Sequence, residues 1–389
     1  MAIDITKFIN LDRIIEKVQS LPIPGLSFLD TIGIDLGTTS IKIVQMKKIK
    51  DKFQLVRWSL IPLSAGTDKT DLTPEEKVAN MIDVLKTYRG SGKGIPKNAV
   101  CSISGNSVIV RYVKFQKLTH KELSKTIKAE AEPYIPFNIE EVFIGFHPLR
   151  DITEEGKLKM ETVLVVAKQE LVNSRVEVLE SSGFKPVIMD VDAFALESVY
   201  ESIGENPLVN ETILIANIGA SQTNFVIVEN GLSMAVKDST IAGNSISKSV
   251  MKNLGVDIKV AEKLKLTNGL LITAQEKEQA LNEGKKEALG VSNALTTILK
   301  DIGTEIKKLI EFYMSQGPER QVNRILLAGG SANIKNLIPY FEKELNLPVN
   351  KMNPFANIIG SEGIPEEYQT TLAVACGLAR RRAGDIKEK

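Results

Sequence analysis

Residues 31–44 read TIGIDLGTTSIKIV. Two apolar, β-branched runs flank Gly37, Thr38, Thr39 and Ser40, and Asp35 interrupts the first run. The pattern predicts strand, tight turn, strand. A turn that exposes several backbone N–H groups and hydroxyls is an anion cradle. Gly37 lets the backbone turn sharply and lets a phosphate approach. Thr38, Thr39 and Ser40 add hydroxyl donors, and Lys42 adds positive charge if its side chain reaches inward. Asp35 repels a phosphate, but it suits a divalent cation, or the water shell of one, that bridges to the phosphate. Taken alone, a plain hairpin turn is the commoner meaning of such a stretch.

Working outward, IKIVQMKK and FQLVRWSLIPL extend the hairpin to a three-stranded meander. About 180 residues later ETILIANIGASQTNFVIVENGLSMAVKD repeats the plan: strand, glycine turn with hydroxyls, strand, turn, strand. Self-similarity at that distance predicts duplication of a whole domain rather than a short solenoid repeat. A third element, RILLAGGSANI, places Gly329 and Gly330 between a strand and a helix, where backbone could pack against a purine and ribose. Each glycine turn has a bland reading. The order hairpin, hairpin, strand–Gly-Gly–helix is one that chance rarely provides.

The rest of the chain narrows the class. Its 389 residues suggest two or more domains, and 49 Lys plus Arg against 48 Asp plus Glu leave a net charge of +1. That balance gives no electrostatic reason to expect a nucleic-acid binder. Cys101 and Cys376 each sit alone in apolar surroundings and read as buried thiols of a reducing cytoplasm. His120 and His147 lack Cys or His companions, which argues against a histidine metal site. No apolar run reaches the length of a membrane span, and MAIDITKFINLDRIIEKVQ lacks the pattern of a secretion signal. A soluble cytoplasmic protein is expected.

Ile5, Phe8, Ile9, Ile14, Ile15 and Val18 recur at helical spacing, so a short amphipathic helix is predicted before Pro22, Pro24 and Gly25 stop it. Thr73, Pro74, Glu75 and Glu76 open a helix that runs to about Tyr88. In the middle third, strand VIVRYVKF leads into helix HKELSKTIKAEAEPY, ended by Pro133 and Pro136. Strands EVFIGFHPLRD and METVLVVAKQ, helix ELVNSRVEVLESSG with Gly183 at its C-terminus, strand PVIMDV and helix DAFALESVYESI follow. Helices fill 244–317, and the last helix lies around TTLAVACGLARRR.

The order of these motifs resembles the actin-like ATPase superfamily. DLGTTSIK resembles its first phosphate loop, NIGASQTN its second and LLAGGSANI its adenosine motif, while MDVDAFALESVY and TTLAVACGLA resemble its connecting helices. Within the superfamily, TIKAEAEPYIPFNIEEVFIGFHPL and VLVVAKQELVNSRVEVLESSGFKPVIMDVDAFAL are very similar to the PilM family of type IV pilus assembly. The resemblance spans roughly Ile32 to Arg382. It implies an α/β fold of duplicated actin-like (ribonuclease H-like) domains with an FtsA-type extra subdomain. The implied division is 1–30 as an N-terminal extension, 31–106 with 187–209 as subdomain 1A, and 107–186 as the extra, partner-binding subdomain 1C. Subdomain 2A then takes 210–242 with 320–389, and subdomain 2B takes 243–319.

By this resemblance the ligand is ATP or ADP with Mg²⁺. Asp35, Gly37, Thr38, Thr39, Ser40 and Lys42 hold phosphate and, from Asp35 through water, metal. Asn217, Gly219, Ala220, Ser221, Gln222 and Thr223 act from the other domain. Gly329, Gly330, Ser331 and Asn333 touch adenosine, and Gly243 and Asn244 approach the nucleotide. Glu262 and Lys265, three apart on one helix face, flank either ribose and base or only solvent. One position departs from the superfamily, because Asn217 stands where a carboxylate is usual. Loss of that charge near Mg²⁺ predicts nucleotide binding with slow or absent hydrolysis. Asp35 and Asp192 are the remaining acidic candidates for catalysis, and Asp192 reads equally as a helix N-cap.

The resemblance also implies partners. A short N-terminal segment of PilN would dock in extended form in a groove between subdomains 1A and 1C. The chain would then be peripheral at the inner membrane through the PilN/PilO complex, in the service of twitching motility. Phe137, Ile139 and Phe143 are candidate groove residues, with core packing as the plainer reading of each. FINLDRI in the N-terminal extension is similar to the docking segment of PilN. That extension could therefore occupy the groove in this or a neighbouring molecule, or rest as an amphipathic helix on the protein or a membrane surface. Two other functions stay open. One is a self-associating filament former like FtsA or MreB, against which the short polar tail ARRRAGDIKEK counts. The other is a small-molecule kinase, for which no base beyond Asp192 is evident.

Overall fold

Asp35 sits opposite Lys42, and Lys42 opposite Leu60, in the antiparallel meander with which the first sheet begins. The computed structural model describes residues 30–63, 72–203 and 211–381, and the backbone of 2–3. The first strands are β1 (Ala2–Ile3), β2 (Thr31–Leu36), β3 (Ser40–Ile49) and β4 (Lys52–Pro62). Helix α1 (Pro74–Gly90) starts on a capping box in which Thr73 and Glu76 satisfy each other's backbone N–H, as its sequence predicts. It leads to β5 (Asn98–Ile103), which lies parallel to β2. Both β2 and β5 are buried on nearly every residue, which their continuous apolar runs allow.

The chain then builds a separate small sheet from β6 (Val108–Gln116), helix α2 (His120–Ala131), β7 (Val142–Glu154) and β8 (Lys157–Lys168). Its order is β6-β8-β7, antiparallel throughout. Leu123, Ile127 and Ala131 of α2 pack on Val113, Phe115, Met160, Leu164 and Val166. Helix α3 (Gln169–Ser181) ends at Gly183, which takes φ +80° as a left-handed terminator. Strand β9 (Lys185–Val191) then lies parallel to β5, and helix α4 (Asp192–Ile203) follows. The large sheet runs β1-β9-β5-β2-β3-β4 and closes on a short strand, Ile358–Ile359. Ala2 and Ile3 pair with Asp190 and Met189 at its far edge. The helix expected over Ile5 to Val18 lies outside the described residues.

The second half repeats the plan with β10 (Thr212–Ile218), β11 (Thr223–Glu229) and β12 (Leu232–Ser239) as its meander. Helices α5 (Gly243–Leu254), α6 (Ile258–Asn268), α7 (Ala274–Asn282) and α8 (Lys286–Met314) follow, then β13 (Arg324–Ala328), α9 (Leu337–Leu345) and β14 (Val349–Lys351). The sheet order is β12-β11-β10-β13-β14, with β13 parallel to β10 and β14 parallel to β13. The first sheet contains the same motif as β4-β3-β2-β5-β9. The duplication expected from the two glycine turns is therefore present in strand order, and the fold is a duplicated actin-like one with an added subdomain. Helix α8 lays Val291, Leu295, Leu299, Ile302, Ile306, Leu309 and Tyr313 along one stripe toward the core that includes Leu214, Phe225, Ile227 and Leu327. Each such fully buried aliphatic side chain contributes about 1.5–3 kcal/mol relative to exposure.

The chain divides into two compact units. The first runs to Ser198 and takes in Asn357–Ser361 and the chain from Val374, and the second holds Val199–Ala356 and Glu362–Ala373. The last helix, Ala373–Arg380, thus packs mostly with the first unit, although the sequence placed all of 320–389 in the second. The cause is close backbone packing and one buried ion pair. A Cβ on Gly377 would lie 2.0 Å from the Ala195 carbonyl oxygen, and one on Gly33 2.4 Å from that of Ala375. Arg381 donates to the wholly buried Asp190 at 2.7 Å and to the Phe194 carbonyl at 3.2 Å.

Candidate functional site

In the first unit the loop after β2 is built by register. Because Asp35 and Lys42 are cross-strand partners, their side chains share a face, and Lys42 Nζ lies 3.3 Å from Asp35 Oδ2. The same ammonium lies 2.4 Å from where a Gly37 Cβ would be, so Lys42 does reach inward over the turn. A side chain at 37 would also come within 2.8 Å of the Ser40 carbonyl oxygen. Thr38 and Thr39 are exposed and Ser40 is half-buried. The loop is thus a glycine turn with one neutralised carboxylate, one ammonium and exposed hydroxyls. That donor set fits phosphate together with a water-bound divalent cation.

Asp192 is the first residue of α4 and accepts a hydrogen bond from Ser102 Oγ at 2.5 Å. Ser102 belongs to β5, which lies between β2 and β9, so Asp35 near the end of β2 and Asp192 just after β9 stand at the C-terminal ends of the two parallel strands that flank β5. The Cys101 thiol lies on the same strand, one residue before Ser102. Burial pushes its pKa up to about 12, with smaller upward contributions from Asp35 and Asp192 against a downward one from Arg175. Cys101 and Cys376 are both buried and neither forms a disulfide.

In the second unit three segments converge. Gly219 N–H donates to the Gln222 carbonyl at 3.0 Å and closes the second glycine turn. The start of α5 docks against that turn, with Gly243 N–H on the Gly219 carbonyl (2.9 Å) and Asn244 N–H on that of Ala220 (2.7 Å). A Cβ on Gly243 would meet Ser331 Oγ at 2.7 Å and the Gly219 oxygen at 2.9 Å. The strand–Gly-Gly element completes the cluster. Gly329 has φ +83°, and a Cβ there would lie 2.4 Å from the Ile218 carbonyl oxygen and 2.9 Å from Asn217 Oδ1. Asn333 donates to the Glu367 carbonyl at 2.7 Å and to Thr370 Oγ1 at 3.1 Å, which anchors the turn Gly330–Asn333. Thr223 Oγ1 is occupied by the Ile241 carbonyl at 2.7 Å, so it braces the loop.

Lys265 is joined to this cluster, while Glu262, its ion-pair partner three residues earlier, is exposed on the helix surface. Lys265 is almost wholly buried, and its Nζ donates to Glu262 at 2.7 Å and to Ser247 Oγ at 3.2 Å. Ser247 in turn contacts the Glu262 carboxylate and lies 2.9 Å from the Gly243 carbonyl. Burial lowers the Lys265 pKa, and Glu262 only partly opposes that shift. Phe137 and Ile139 pack on the core between α2 and the small sheet, and Lys168 Nζ stands 5.0 Å from the Phe137 ring centre. Phe143 alternates with the core-facing Val142 and Ile144 and so points to the opposite face.

Residues that sequence reasoning did not single out are Ser102, Asn224, Asp238 and Ser247. For Asn224 a signal existed: it follows Asn217 by the same interval that separates Lys42 from Asp35.

Comparison with known proteins agrees with this architecture. The profile of the family described as type IV pilus assembly protein PilM matches residues 33–383. The chain belongs to the PilM family. A solved PilM–PilN type IV pilus biogenesis complex aligns with a TM-score of 0.73 at 23% identity, covering 90% of this chain and 98% of that one. MreB5 of Spiroplasma citri bound to ADP aligns at 0.50 with 14% identity, over 90% of this chain and 94% of that one. Cell division protein FtsA of Buchnera aphidicola subsp. Baizongia pistaciae (strain Bp) is 24% identical over 241 residues. That match covers 57% of this chain and 56% of FtsA, so it spans little more than half the length of this curated relative. Among the described residues of this PilM-family chain, no helix is long and apolar enough to cross a membrane.

Proposed function

We propose that this chain is a nucleotide-binding scaffold of type IV pilus assembly. It holds ATP or ADP with Mg²⁺ and receives the N-terminal segment of PilN. Through PilN/PilO it is peripheral at the inner membrane. The observation that carries the nucleotide reading is the duplicated glycine turn, built around Gly37 in one unit and Gly219 in the other. In both, a Cβ would strike the turn's own atoms. Lys42 and the hydroxyls of Thr38, Thr39 and Ser40 bind phosphate. The backbone of 219–222, Gly243 and Asn244 binds from the second unit, and Gly329, Gly330, Ser331 and Asn333 meet adenosine. Glu262 and Lys265 orient the ribose and base. When bound, Mg²⁺ supplies charge neutralisation at the phosphates, held through water by Asp35. Asn217 offers no charge to such a site, and Asp192, hydrogen-bonded to Ser102, is the acidic group left to accept a proton from water. Turnover is therefore slow or absent.

The PilN reading is supported by family membership and by the PilM–PilN complex among similar folds. The edge of β9, where Ala2–Ile3 pair, can accept an extended chain by backbone hydrogen bonding. Titration of MgATP into the full chain, followed by capture on an immobilised PilN N-terminal peptide with and without ATP, tests both halves. Saturable ATP binding and peptide capture support the proposal. Turnover at the rate of a sugar kinase rejects slow hydrolysis, and failure to capture the peptide rejects the partner.

A further inference from the structure

Three polar side chains cross the second sheet in one row: Asn217 on β10, Asn224 on β11 and Asp238 on β12. They are consecutive cross-strand partners and so share a face. Asn217 Nδ2 donates to Asn224 Oδ1 at 2.8 Å, and Asn224 Nδ2 donates to Asp238 Oδ1 at 2.8 Å. Asn217 and Asn224 are buried.

The row has a direction set by chemistry. An ionised carboxylate only accepts, so Asn224 must turn its NH₂ toward Asp238 and its oxygen toward Asn217. Asn217 must then turn its NH₂ toward Asn224. Its own oxygen is left beside Gly329, where the paired strands β10 and β13 end. Among the described residues that oxygen accepts no hydrogen bond. A free asparagine could present either end. This one is held with its acceptor outward.

We propose that Asp238 is a positioning residue that acts through Asn224. It fixes Asn217 so that the second phosphate loop presents a neutral acceptor, which takes a hydrogen-bond donor such as metal-bound water rather than a phosphate oxygen. The inference rests on the reading that this loop meets the nucleotide. The row discriminates between magnesium-loaded and bare ATP. An outward oxygen repels a bare phosphate and welcomes a hydrated cation, whereas an outward NH₂ does the reverse.

The test uses the full chain and two readouts. With ¹⁵N-asparagine labelling, the Asn217 side-chain NH₂ should exchange slowly with solvent. Asp238→Leu should abolish that protection, and Asp238→Asn, whose oxygen can still accept from Asn224, should retain it. In calorimetry, the ratio of ATP affinities with Mg²⁺ and with EDTA should fall about tenfold in Asp238→Leu, the scale of one hydrogen bond to a charged group, and recover in Asp238→Asn. If Asp238→Leu does not fold, Asn224→Leu breaks the same row. An unchanged ratio or an unchanged amide overturns the proposal. Absence of ATP binding in the unsubstituted chain defeats the nucleotide reading and the acceptor role with it, while a slowly exchanging Asn217 amide would still stand as evidence for the row.

Discussion

The two glycine turns occupy equivalent places in equivalent sheets, and they solve one problem with opposite chemistry. In the first, Asp35, Lys42 and Leu60 lie in a cross-strand row; in the second, Asn217, Asn224 and Asp238 do. The first row is an ion pair next to an aliphatic residue, and both charged side chains keep some exposure. The second is a chain of amides anchored on a carboxylate one strand farther from the loop. The two copies therefore share backbone geometry but differ in where their charge lies. A phosphate site can tolerate this, because backbone N–H groups supply much of the binding. Efficient hydrolysis requires more, since developing charge must be met by fixed carboxylates and metal.

The comparison breaks most severely at the backbone. Gly329→Ala forces a side chain into a left-handed conformation worth about 1–3 kcal/mol of strain, before the clash with Ile218 is added. The adjacent Gly330, whose Cβ would find only Thr371 Oγ1 at 3.8 Å, should accept alanine within about 0.5 kcal/mol. Thermal denaturation of the two variants checks the contrast.

Reversing the polarity of the second row comes next. Asn217→Asp places oxygen against Asn224 Oδ1, and turning Asn224 around sets its oxygen against Asp238. Adding Asp238→Asn relieves the conflict, so a double-mutant cycle should show favourable coupling of about 0.5–3 kcal/mol. The double variant restores a carboxylate at the loop and should release phosphate from ATP faster than the unsubstituted chain in a steady-state assay. Making the first row neutral with Asp35→Asn should instead lower MgATP affinity about tenfold while leaving binding in EDTA nearly unchanged, as read by calorimetry.

The smallest effect concerns Lys265. Burial lowers its pKa, so in the alkaline range the unfolded chain holds that proton more strongly than the folded one. Stability attributable to this residue therefore rises as pH climbs from the lowered folded value toward the ordinary lysine value. Lys265→Met should remove that dependence with little loss of stability, while weakening nucleotide binding. Denaturant titrations at neutral and alkaline pH check the sign.

Much of this was legible in the sequence because it rests on short-range rules. The glycine turns, the helix start at Thr73 to Glu76, and the alternation of α2 with the small sheet all declare themselves within a dozen or so residues. Asn217 was visible as a missing carboxylate. What escaped depends on pairing between distant segments. Asp238 joins the row only once β12 is registered on β11, and the burial of Lys265 requires α6 to pack beside Ser247 of α5. The attachment of the last helix to the first unit depends on Arg381 finding Asp190, nearly two hundred residues away in sequence.

Calorimetric titration of ATP into the full chain with saturating Mg²⁺, repeated with Gly37→Val and with Gly219→Val, asks most directly whether both turns serve one ligand. The account predicts one nucleotide per chain, with binding lost in either variant while far-ultraviolet circular dichroism is retained. Two independent sites, or undiminished binding after either turn is filled, would contradict it.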